Sequence, residues 1–185
     1  VIAGRLVSIA KREGFTLEQD AAGIIAFAAE GSVRDAESML GKIMAVEESV
    51  ITLASAEEIL GIPRREAMLQ LFDFIGARNL KGALELVNRL YHDGYEMEYL
   101  LKMLVLLFRD ALLAKTDPSF DLEGAESLLP RAHENLGGHL AAYSAGDIAN
   151  ALSELIEALG AVKRSPLPQL PLELALVRMM NDHAE

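Results

Sequence analysis

Ala28-Ala29-Glu30-Gly31-Ser32-Val33-Arg34-Asp35-Ala36-Glu37-Ser38-Met39-Leu40 reads as the end of one helix and the start of the next. Gly31 stops the first, since glycine takes the left-handed backbone at low cost. Ser32 caps the second, with Asp35 at its third position shaping the helix start. Arg34 then falls in the first turn, beside the positive end of the helix macrodipole, where a cation is mildly unfavourable. A helix start is also an anion site, so an arginine there points to a phosphate partner. The chain has no phosphate loop of its own, and the phosphate has to come from elsewhere. The plainer reading is a surface arginine paired with Glu37 three positions on, worth a few tenths of a kcal/mol.

Composition sets the frame. Of 185 residues, 51% are apolar but only 5% aromatic and none is Trp, so Ala, Leu, Ile and Met carry the core and an all-α fold is expected. Cysteine is absent. That excludes disulfides and thiolate metal sites and fits a reducing cytoplasm. The net charge of −11 is shared by residues 1–62, with 5 basic and 10 acidic side chains, and residues 63–185, with 12 and 18. Neither part has the basic stripe that nucleic-acid binding needs. A start at Val1 without a signal-peptide layout reads as a fragment. The apolar run 103–108, bracketed by Lys102, Arg109 and Asp110, is too short for a membrane span.

Around the opening stretch, the periodicity predicts a first helix closed by Gly14 and a second opened by a capping box at Thr16-Leu17-Glu18-Gln19, with Leu17, Ala21, Ile24, Ile25 and Ala28 inward. The third places Val33, Ala36, Leu40 and Ile43 on one face. A short helix ends at Gly61, and Gly61-Ile62-Pro63 marks a domain boundary. Beyond it, helices are expected at 64–75, at Leu80–His92 before Gly94, and at 96–115. The last is apolar around almost its whole circumference, so it is central to its own domain, exposes a surface for another subunit, or both. A helix pair over 122–143, a helix capped by Asp147 and reaching Lys163, a connector at 164–169 and a final helix with Pro171 in its first turn complete the reading.

No catalytic constellation emerges. His92, His133, His139 and His183 lack metal-ligand spacing and read as surface residues. The neighbouring pairs Glu47-Glu48 and Glu57-Glu58 point about 100° apart on a helix and cannot converge on one proton.

The segment Ala29-Glu30-Gly31-Ser32-Val33-Arg34-Asp35-Ala36-Glu37-Ser38-Met39-Leu40 closely resembles the sensor-2 segment of the bacterial DNA polymerase III gamma/tau family, the ATPase of the sliding-clamp loader. Downstream, Ile51-Thr52, Ile59-Leu60-Gly61, Ala83-Leu84, Leu90, Phe108-Arg109-Asp110 with Leu112-Leu113, and Leu170-Pro171-Leu172-Glu173-Leu174-Ala175-Leu176-Val177-Arg178 are similar to the same family in order. The resemblance implies an ATPase lid over 1–62, in which Arg34 senses the terminal phosphate, and a helical collar over 63–185. The collar would join other clamp-loader subunits, or a second copy of the chain, through Leu101, Leu104, Val105, Phe108, Leu112, Leu174 and Val177. Gly41-Lys42 stands where the family usually has an aspartate-glutamine pair. No G-x-x-x-x-G-K-[ST] run is present, so the resemblance implies that ATP and magnesium, the sliding clamp and primer-template DNA all engage a module outside these residues, and that this chain alone is not an ATPase. A non-enzymatic helical adaptor is the alternative from the residues themselves.

Overall fold

The computed structural model describes residues 1–117, 119–120 and 136–181, and they form two units parting between Arg64 and Arg65. The predicted pair over 122–143 falls largely outside the described residues, as do His133 and His183. The fold is helical, with one ladder of two-residue strands. Among the described residues no helix is long and apolar enough to cross a membrane.

The first unit contains α1 (Ile2–Arg12), β1 (Thr16–Leu17), α2 (Gln19–Ala28), α3 (Val33–Met44), β2 (Val50–Ile51) and α4 (Leu53–Leu60). Leu6 and Ala10 on α1, Ala21, Ile24 and Ile25 on α2, and Ala36, Leu40 and Ile43 on α3 are buried together at i, i+3 and i+4 spacings. Val33, expected in that row, is 38% exposed. A side chain at the first helical position leans beyond the helix start, where no preceding turn covers it.

The expected capping box at Thr16 is replaced by a strand. Thr16 and Leu17 pair in parallel with Val50 and Ile51, and Thr16 N–H donates to the Ser49 carbonyl at 2.8 Å. Glu18 becomes the N-cap of α2, and its carboxylate instead accepts from Leu53 N–H at the start of α4, 2.9 Å away. At the other end of α4, Gly61 takes φ +66° and Ile62 N–H reaches back to the Glu57 carbonyl. This Schellman closure keeps Ile62 with the first unit, so the units part slightly later than the sequence boundary.

The second unit contains α5 (Arg65–Gly76), α6 (Leu80–His92), α7 (Met97–Thr116), α8 (Leu136–His139), α9 (Ala145–Val162) and α10 (Leu170–Asn181), with a 3₁₀ turn at Leu140–Ala142. α9 packs against both α7 and α10, and α10 also packs on α6. Phe72, Phe108 and Tyr143 meet at the centre, with ring centroids 4.5 to 5.8 Å apart. The Tyr143 hydroxyl donates to the Phe72 carbonyl. Gly76 is required there, since a Cβ would lie 2.7 Å from Tyr143 Cε2. Asp147, expected to cap α9, stands at its third position: Ser144 is the cap and the two form a reciprocal capping box.

Two outcomes follow. Gly76→Ala should lower unfolding free energy by about 1–3 kcal/mol in urea titration, because the packed ring has to move. Burial pushes the Tyr143 hydroxyl well above its ordinary pKa of 10.0. Above about pH 10 the unfolded chain therefore releases a proton that the folded one holds, and stability falls as pH rises. Tyr143→Phe should cost about 1 kcal/mol near neutral pH and flatten that alkaline loss, read from unfolding midpoints between about pH 8 and 11.

Candidate functional site

Two consecutive left-handed residues, Glu30 at φ +50° and Gly31 at φ +86°, turn the chain between α2 and α3. Ser32 follows in extended backbone, and its hydroxyl accepts from Asp35 N–H at 3.3 Å. Arg34 therefore stands in the first turn of α3, and its side chain is exposed. The N–H groups of this turn have no acceptors within the helix, so they and the guanidinium present donors at one helix end.

Glu37, the residue that would make Arg34 an ordinary surface pair, is held elsewhere. Arg5 on α1 donates through Nε to Glu37 Oε1 at 2.7 Å. Among the described residues Arg34 has no carboxylate partner. Asp35 lies in the same turn and is favoured by the macrodipole. The arrangement is a positive, donor-rich helix start with no internal anion to neutralise its arginine. It can receive a phosphate but holds no base or nucleophile to act on one.

The other expected positions divide. Leu101, Leu104 and Phe108 are fully buried within the second unit, packed in its own core, and have no surface to offer a neighbouring subunit. That part of the expectation is corrected: α7 spends its inward positions on its own unit. Val105, Leu112 and Val177 are half-buried, and Leu174 is 47% exposed. His139, expected at the surface, is partly covered, with Nδ1 2.5 Å from Asp73 Oδ1. Among the described residues no group of three His, Asp or Glu side chains is placed to hold a metal ion.

Comparison with known proteins follows these two regions. Residues 1–46 match the family described as DNA polymerase III clamp loader subunit, ATPase lid domain. Residues 51–184, more than half of the chain, match DNA polymerase III subunits gamma and tau domain III. The chain is similar to DNA polymerase III subunit tau of Bacillus subtilis, 31% identical over 65% of this chain and 21% of that protein. It is also similar to DNA polymerase III subunit gamma of Buchnera aphidicola, 31% identical over 58% of this chain and 30% of that protein. It thus spans under a third of these relatives. Its fold resembles that of the Bacillus subtilis DNA clamp loader delta protein at a TM-score of 0.53 and 17% identity, covering 97% of this chain and 55% of that one. These matches do not favour the adaptor alternative.

The geometry at α3 separates a stabilising role for Arg34 from a binding role. Arg34→Ala should leave unfolding free energy within about 0.5 kcal/mol of the original. Ser32→Ala, which removes the cap, should lower it by about 1 kcal/mol. Urea titration of both variants checks this.

Proposed function

Since the chain belongs to the DNA polymerase III gamma and tau subunit family, we propose that it is the lid and collar portion of a clamp-loader subunit that acts in DNA replication. The first unit is the lid, and it folds over ATP held with magnesium by an ATPase module outside these 185 residues. Arg34 then meets the terminal phosphate. The observation that carries this reading is the exposed guanidinium at the start of α3, left without a carboxylate while Glu37 is taken by Arg5.

The physics supports a nucleotide-dependent lid. In water an exposed pair gains little, but once the lid closes and excludes solvent the same pair interacts several-fold more strongly. Loss of the terminal phosphate would leave Arg34 in the cleft without its counter-charge, and the closed lid would lose its advantage over the open one. Hydrolysis itself belongs to the outside module, because this chain brings no phosphate loop and no acidic site for magnesium. The second unit is the collar that joins this subunit to others of the loader. The sliding clamp and primer-template DNA are engaged by the outside module, in the cytoplasm.

Arg34→Ala introduced into the complete subunit should cut the rate of ATP-dependent clamp loading by tenfold or more, taking about 1.4 kcal/mol as the least such a phosphate contact supplies. Circular dichroism should be unchanged. Loading at the original rate by a folded variant would contradict the assignment.

A further inference from the structure

The last helix carries two apolar faces. Leu172, Ala175, Leu176, Met179 and Met180 point inward and are buried. On the opposite side, Leu170 and Val177 are half-buried and Leu174 is 47% exposed, while Leu167 in the preceding connector is 50% exposed. These four positions run at spacings of three, four and three residues, the seam by which one helix packs on another. Beside the seam lies a groove of about 310 Å³ between α9 and α10, floored by the small side chains Ala158 and Ala161 and walled by Leu170 and Leu174. Small residues let a second helix approach closely, so knob and hole share one face.

The charges on this face are complementary to themselves. Glu157 and Arg164 line the same groove two helical turns apart. Arg164 donates to the Gly160 carbonyl at 3.2 Å and has no carboxylate partner among the described residues. Glu157 pairs with Arg178 at 2.9 Å yet keeps 64% of its side chain exposed. If a second such face is laid against the first in antiparallel sense, Glu157 of each copy comes opposite Arg164 of the other, while Leu174 of each enters the groove.

We infer that the α9–α10 face, rather than the outer side of α7, is where a second copy of this chain docks. The inference deepens the collar reading and rests on it. It selects Leu174 and Val177 from the expected contact residues and sets Val105 and Leu112 aside.

Light scattering of the 185-residue chain over a concentration series, up to about 1 mM, reads the association. The expected result is a concentration-dependent dimer. Leu174→Glu should raise its Kd more than about tenfold, since a carboxylate would be buried in an apolar groove. Arg164→Glu should weaken it several-fold, and adding Glu157→Arg to that variant should recover most of the loss. Ile156→Glu, exposed on α9 outside the groove, should leave it unchanged. Should Leu174→Glu fail to fold by circular dichroism, the surface charge pair carries the same test. A monomer across the whole series overturns the inference. So does a dimer abolished by Val105→Glu with Leu112→Glu but indifferent to Leu174→Glu and Arg164→Glu, an outcome that leaves the collar reading standing. That reading fails separately, if the complete subunit lacking this second unit still enters the loader.

Discussion

Where α3 begins decides what the first unit can do. Glu30 and Gly31 both hold left-handed backbone, and for the glutamate this costs on the order of 1 kcal/mol that the packing of α2 and α3 has to cover. With the turn fixed, Ser32 caps the helix and Arg34 is carried to its positive end, where nothing in the helix benefits from a cation. The Arg5–Glu37 pair completes the arrangement by occupying the nearest acidic neighbour. It is exposed and contributes little stability. Its consequence is one of partner choice, since it leaves Arg34 open to an external anion.

The second unit follows a different rule. α7 is apolar nearly all round, and its inward residues are consumed by α9 and by the aromatic cluster of Phe72, Phe108 and Tyr143. A helix so used is a scaffold. The unit's surface hydrophobics lie elsewhere, on α9, α10 and the connector between them. α10 can serve two partners because its inner and outer rows are offset around the helix, so covering one leaves the other open.

Local features were legible in the sequence and non-local ones were not. Ser32 before Val33 and Gly61 after Leu60 announce helix ends through backbone chemistry that needs no partner. The strand at Thr16 and Leu17 is too short for alternation to show, and it exists only because residues 50 and 51 pair with it. Glu18 caps a helix 35 residues away, and Glu37 meets an arginine 32 residues back. Neither follows from spacing along one helix. On α7, periodicity could not tell Leu104 from Val105, because a helix apolar on every side has no preferred face until its neighbours are known. The outer row of α10 is likewise separated from the inner one only by seeing which side α6 and α9 cover.

The central claim is that Arg34 is held free for a terminal phosphate. A structure of the complete subunit with a non-hydrolysable ATP analogue tests it most directly. The account predicts the Arg34 guanidinium within about 3 Å of a terminal phosphate oxygen, with Glu37 still on Arg5. A bound analogue whose terminal phosphate is satisfied by other groups, with Arg34 turned to solvent or to Glu37, would contradict it.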